Sequence, residues 1–313
     1  MREEIFISGR DIPGVDPVLQ LWHWPIPLYL FLGGLAAGIL FFASLYTIMG
    51  KEKLYPTAVK KAPLIVPFAL AFGLLFLLID LKHMLYFWQL FTTIKIKSPM
   101  SWGAWTLMLI TPLSVLWCLM WIKDVFPKFD WKFKFIDSIV EWAQKNRKPI
   151  AWVQIVLAVI LGIYTGILLS AFNARPLWNT SILGPLFLAS GMSTGAACIM
   201  WMSKNPNERK LFSQIDMLLI AIELVLITHM FMGFMASTAV QIEAAQLFMG
   251  GEFTIPFWVF IIGLGLVIPF IIEVMELKGF HIPVYIPALL VIIGGLIFRF
   301  IMVEAGQVTR YLY

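Results

Sequence analysis

An acid, two histidines and a tyrosine in this protein have the chemistry to exchange protons with a bound carbonyl compound: Asp80, His23, His83 and Tyr164. Carboxyl and imidazole groups give and take protons, and a phenol donates a hydrogen bond. A ligand with two carbonyl oxygens, such as a quinone, needs donors at those oxygens, an apolar slot for its ring and a path for protons. Two more acids, Asp216 and Glu223, stand seven residues apart. On a helix they share a face and lie about 10.5 Å apart. They suggest a proton half-channel from the opposite side.

Eight apolar runs must position these groups: 26–49, 62–89, 102–122, 149–171, 182–202, 214–236, 255–275 and 283–303. Each is near the roughly 20 residues that cross a bilayer. The protein is 60% hydrophobic and only 13% charged, with mean hydropathy +0.87. The fold class is therefore all-α integral membrane with eight transmembrane helices. Residues 1–17 mix acids and arginines without an apolar core, so the first span is expected to act as the insertion signal. Loops after the odd-numbered spans carry fifteen Lys and Arg residues, against six on the other side. The excess marks the cytoplasmic side, which puts both termini outside. The net charge of +5 is mostly this topology signal and is no footprint of nucleic-acid binding. In the inner loop 123–148, FPKFDWKFKF suits the headgroup region, and 136–146 reads as a short interfacial helix with Ile136, Ile139, Val140 and Ala143 on one face.

Depth brings the first group together. Asp80 lies about 27 Å along its helix from Ala62, in the outer third, and Tyr164 about 10 Å below the outer end of the fourth span. A membrane-embedded carboxylate is costly and is a functional candidate by default; an ion pair with Lys82 or Arg299 is the structural alternative. On a continuous helix His83 shares the face of Asp80, and Lys82 points about 200° away, toward the interface. Trp22 and Trp24 flank His23 at the membrane boundary, after the helix-start pair Asp16-Pro17. Glu273 and Glu276 sit at the inner end of the seventh span, where solvent or Lys278 would satisfy them. Cys118 and Cys198, the only cysteines, lie inside spans and are too few to ligate an iron–sulfur cluster.

An internal repeat is suggested. Pro27-Leu28-Tyr29-Leu30 precedes Gly33 as Pro185-Leu186-Phe187-Leu188 precedes Gly191, and the following spans carry Asp80 and Glu223. The domain expectation follows: an outer segment 1–25, a first four-helix bundle 26–171 holding the quinone site, a second bundle 182–303 and an outer tail 304–313.

The motifs also support a resemblance. Leu21-Trp22-His23-Trp24 before a Gly-rich span, Asp80-Leu81, the SPMSWGAW run at 98–105, Tyr164 and the NARPLWN run at 173–179 resemble the NrfD/polysulfide-reductase membrane-subunit family along nearly the whole length. The resemblance implies a haem-free, quinone-reactive anchor in a prokaryotic inner membrane. Such a subunit exchanges electrons between menaquinone or ubiquinone and an outer four-cluster ferredoxin-like subunit, which serves a molybdopterin catalytic subunit. The anchor alone completes no reaction. His23 and Tyr164 carry over as quinone contacts, with Trp22 beside them, and Asp80 carries over to proton handling. The common glycine-arginine-proline after this acid is Lys82-His83-Met84 here, so His83 rests on the residue argument alone. Outer loops bearing Lys95, Lys97, Arg175 and Trp178 are the expected docking platform. Two other function classes fit less of the sequence. A b-type haem anchor has only His83 and His229 as a conceivable axial pair. A secondary transporter would use Glu223 and the repeat but leave the outer motifs without a purpose.

Overall fold

The computed structural model describes residues 22–128 and 134–309. The Asp16-Pro17 pair, Arg310 and residues 129–133 of the aromatic–lysine loop lie outside the described residues. Eight helices are long and apolar enough to cross a membrane: Pro25–Ile48, Thr57–Asp80, Pro99–Val125, Arg147–Ser170, Leu183–Met202, Pro206–Met235, Pro256–Leu277 and Tyr285–Val308. In hydrocarbon the backbone must satisfy its own hydrogen bonds, which makes long helices the solution for runs of this composition. Proline at the start of the first, third and sixth spans removes an amide that would have no helical partner.

The first and fifth spans are the most buried. They touch backbone to backbone because glycines face each other. A Cβ on Gly191 would lie 2.8 Å from the Gly34 carbonyl oxygen, and one on Gly195 would lie 2.7 Å from the Gly38 carbonyl carbon. Small residues allow this approach where lipid supplies no hydrophobic drive for helix association. The first span packs on the second, fourth, fifth and eighth; the fifth packs on the first, fourth, sixth and eighth. The segments 26–171 and 182–303 thus share an interface along their leading helices. The seventh span joins through the eighth, where a Cβ on Gly265 would lie 2.8 Å from Gly294 Cα.

Between the third and fourth spans, Lys134–Lys145 forms a short helix. It is tied by Lys123 Nζ to Asp137 Oδ1 at 2.8 Å and by Gln144 Nε2 donating to the Met120 carbonyl at 2.6 Å. Ala143 is buried, while Ile139 is exposed together with Phe135 and Trp142.

The second span departs from its expected range. It ends at Asp80, where Leu81 turns extended at φ −73°, ψ 127°, and not at 89. The backbone then continues as a short 3-10 turn, Met84–Tyr86, and a single helical turn, Gln89–Thr92. The run 81–89 is apolar enough to prolong a helix, but Leu85, Tyr86 and Trp88 are exposed and line the way into the third span.

Candidate functional site

The end of the molecule carrying residue 22 is assembled from three loops. Trp22 donates its amide to Gln307 Oε1 at 2.7 Å and accepts from Gln307 Nε2 at 2.9 Å, so the entry to the first span is clamped to the end of the last. Its ring packs edge-on against Phe172, centroids 4.9 Å apart, and at a 32° tilt against Trp178, centroids 5.3 Å apart. Arg175 Nη1 donates to the carbonyls of Gln307 and Thr309 at 2.8 and 2.9 Å. A cation here satisfies orphan carbonyls and opposes the negative end of the helix dipole. Trp178 is fully buried, and its indole N–H donates to the Met302 carbonyl at 2.8 Å. Gly306 makes room: a Cβ there would overlap the indole nitrogen.

The docking expectation fails for Trp178, which presents no surface to a partner; Arg175 is half-buried, with Nη1 engaged by the end of the last span. Lys95 and Lys97 are exposed, on a loop held by Trp102 Nε1 donating to the Ile96 carbonyl at 2.7 Å.

Held by this clamp, His23 approaches the end of the second span. Its Nδ1 lies 3.1 Å from Asp80 Oδ1, and its backbone N–H donates to the same oxygen at 3.3 Å. The Asp80 side chain is 8% exposed and that of His23 61%. An acid on the last turn of a helix meets the negative end of the dipole; the two contacts from His23 offset that penalty. Arg299, the alternative partner, is elsewhere: it is buried and donates to Ser190 Oγ and to the carbonyls of Gly295 and Phe187.

Asp80 opens into a cavity of about 200 Å³ between the first four spans. Tyr164, Tyr29, Trp22 and Lys82 also line it, and the remaining walls are apolar, among them Ile26, Leu74, Leu77, Leu107 and Leu168. Tyr29 and Tyr164 are both buried, and their hydroxyls face each other. The Tyr29 hydroxyl is near that of Tyr164 but makes no well-aligned hydrogen bond among the described residues. A ligand oxygen here would give it an aligned acceptor. The Tyr164 ring packs against Gly103, where a Cβ would overlap its Cζ and hydroxyl. The SPMSWGAW run thus includes the glycine that gives the tyrosine its place.

His83 is not in this cavity. Because the helix stops at Asp80, the three-residue spacing no longer puts both on one face. His83 instead lines an outer chamber of about 490 Å³ with Lys95, Gln89 and Ser98. Lys82, expected to point away, lines both spaces. Leu81, Leu90 and Met100 also line both.

Asp216 and Glu223 are buried in the second half, as is Glu273, which was expected to be solvated or paired with Lys278. Asp216 Oδ1 accepts from Ser193 Oγ at 2.6 Å, and the Glu273 carboxyl faces Asp216. His229 lies on an exposed face of the sixth span. Tyr29 and Glu273 were both missed by sequence reasoning as site residues. Tyr29 could have been found by the depth argument used for Tyr164, and Glu273 by its place in the apolar run Ile271-Ile272-Glu273-Val274.

Known proteins place this arrangement in context. Residues 15–310 match the family model described as Polysulphide reductase, NrfD. The C component of polysulfide reductase from Wolinella succinogenes is 32% identical over 304 residues, covering 92% of this sequence and 94% of the relative. Protein NrfD of Escherichia coli is 30% identical over 309 residues, covering 92% and 96%. The C component of selenate reductase from Mesobacillus selenatarsenatis is 23% identical over 320 residues, covering 93% and 75%.

Proposed function

The chain belongs to the polysulphide reductase NrfD family of oxidoreductase-complex membrane subunits, and from that premise we propose that it is the quinone-reactive anchor of a respiratory complex. It carries no haem or iron–sulfur cluster of its own. It sits in a prokaryotic inner membrane, with the His23 end outside. It exchanges electrons between menaquinone or ubiquinone and an iron–sulfur subunit docked on that end near Lys95 and Lys97, which in turn serves a molybdopterin catalytic subunit of the polysulfide-reductase type. The segments 26–171 and 182–303 act as two four-helix bundles, the first holding the quinone.

The observation that carries this reading is the cavity with Tyr29 and Tyr164 set against apolar walls and the Asp80–His23 pair at its mouth. Its volume is below the roughly 300–1,000 Å³ of sites for drug-sized ligands. It suits a ring headgroup whose tail stays among the lipids. The two phenols donate hydrogen bonds to the carbonyl oxygens and fix the ring. Reduction of a quinone consumes two protons, and oxidation of the quinol releases two. Asp80 relays protons between the cavity and His23, whose mostly exposed side chain meets water. His83 and Lys82 in the outer chamber extend that route. Asp216 and Glu223 form a second route toward the Lys-rich side.

The test is quinone binding and quinone-linked turnover in the intact complex, measured beside the partner's activity with an artificial dye. Tyr29→Phe and Tyr164→Phe should each weaken quinone binding while dye activity persists. Unchanged quinone affinity in the double variant would remove the cavity from the mechanism. A haem Soret band in the purified complex that disappears with His83→Ala and His229→Ala would favour the haem-anchor alternative.

A further inference from the structure

The second half of the molecule contains a series of ionisable groups that crosses between helices. At the Lys-rich end of the seventh span, Glu276 is half-buried beside Arg209. One helical turn further in, Glu273 is fully buried, and neither of its carboxyl oxygens has a hydrogen-bond partner among the described residues. Glu273 faces Asp216 on the sixth span. Asp216 accepts from Ser193 on the fifth span, and its other oxygen, Oδ2, has no partner among the described residues. Beyond Ser193 lies a small cavity of about 10 Å³ lined by Ser190, Ser193, Thr194 and Glu223. Glu223 is 4% exposed and stands near Ser190 and Ser193, but its Oε1 makes no well-aligned hydrogen bond among the described residues. Arg299, from the eighth span, stands beside Glu223 and donates to Ser190.

Asp216 and Glu223 are seven residues apart, about 10.5 Å along the helix. That is too far for a proton to pass directly. The cavity is at the lower limit of the roughly 10–15 Å³ that holds one water, and such a water needs two to four polar partners. Three hydroxyls and a carboxyl oxygen meet that need. We propose that a single water bound between Ser193 and Glu223 closes a proton path that enters at Glu276 and Glu273 on the seventh span and reaches Glu223 through Asp216 and Ser193. The proposal rests on the reading that the subunit exchanges protons with the Lys-rich side, and deepens it.

Each transfer balances. A proton leaves the Glu273 carboxyl for the Asp216 carboxylate. Asp216 then gives a proton to the Ser193 hydroxyl as that hydroxyl gives its own to the water. The water passes one proton to Glu223 and is unchanged. Arg299 supplies a fixed positive charge next to Glu223, so the carboxylate waiting for that proton is not an isolated buried anion. The opposite direction uses the same steps in reverse. Sequence spacing alone drew the route down one face of the sixth span; the structure directs it through three helices.

The test uses the intact complex in sealed vesicles, with an impermeant pH dye on the Lys-rich side, reading proton exchange per quinone turned over. Glu273→Gln and Ser193→Ala should each lower that exchange at least ten-fold, with quinone affinity and dye-linked partner activity as in the wild type. Ser193→Thr keeps the hydroxyl and should keep the exchange. Normal exchange in both Glu273→Gln and Ser193→Ala, with loss in Glu223→Gln, would overturn the path while leaving Glu223 in a relay. No exchange on that side in the wild type, with quinone turnover intact, would overturn the path and the second route together but spare the quinone site. A density map of the wild-type complex fine enough to show waters decides the bridge independently of any variant. One water within hydrogen-bond reach of Ser193 and Glu223 is expected, and a dry cavity refutes it.

Discussion

Gly103→Ala is a one-atom test of how the proposed quinone pocket is built. Gly103 lies inside the third span, where the backbone is held by helical hydrogen bonds and cannot yield cheaply. A Cβ there would overlap the Tyr164 ring at Cζ and at the hydroxyl, far inside the roughly 3.5–4.0 Å at which two carbon atoms rest. The ring cannot slide freely, because Tyr164 is buried and Tyr29 stands opposite it. Overpacking of this kind costs about 1–3 kcal/mol, and a displaced hydroxyl forfeits a ligand hydrogen bond of about 0.5–1.5 kcal/mol. The loss falls mainly on the ligand-bound arrangement, because binding needs the hydroxyl in place. Together these are about 1.5–4.5 kcal/mol, and at about 1.4 kcal/mol per decade quinone affinity should fall about 10- to 1,000-fold. Titration of the purified complex with quinone measures this. Partner activity with an artificial dye should remain, because the added methyl meets Tyr164 and leaves the neighbouring Trp102–Ile96 contact, which holds the loop of Lys95 and Lys97, in place. In the Tyr164→Phe background the same change should cost less, because part of the loss has already occurred. Wild-type affinity in Gly103→Ala, or full additivity with Tyr164→Phe, would refute the idea that this glycine positions the tyrosine.

Four further outcomes are expected. Tyr164→Phe should weaken quinone binding by about 0.5–1.5 kcal/mol, the net value of one ordinary hydrogen bond, as measured by the same titration. Asp80→Asn keeps the shape of the site and its contact with His23 but removes a titrating group, so steady-state quinone turnover should slow with affinity largely kept; full turnover would exclude Asp80 from proton handling. Photo-cross-linkers placed at Lys95 and Lys97 should capture the iron–sulfur subunit, and capture only from the Lys-rich loops on the other side would reverse both the docking and the topology. Trp178→Ala should act on stability by about 3–5 kcal/mol, as truncation of a fully buried tryptophan does, read as faster thermal inactivation of the complex. Weakened partner binding with unchanged stability would mean that Trp178 is a surface residue after all.

The sequence by itself determined the parts that depend on local composition. Eight apolar runs became eight helices, because a polypeptide in hydrocarbon has few other ways to satisfy its backbone. The depth count along those runs brought Asp80 and Tyr164 to one cavity, since helical rise is fixed. Only the tertiary structure decided which way each helix faces. In water an amphipathic period marks the buried side. In a membrane both the lipid and the protein interior are apolar, so that signal is lost. Glu273 therefore looked like an acid at a helix end and proved to be buried against Asp216. Trp178 looked like a docking residue on an outer loop and proved to be the plug between the 173–179 loop and the last span. The meeting of the Tyr29 and Tyr164 hydroxyls needed the contact between the first and fourth spans, more than a hundred residues apart. The second span's early stop at Asp80 was equally hidden. Residues 81–89 are apolar enough to continue the helix, and tertiary packing, with His23 held against Asp80 by the Trp22–Gln307 clamp, sends the backbone away instead.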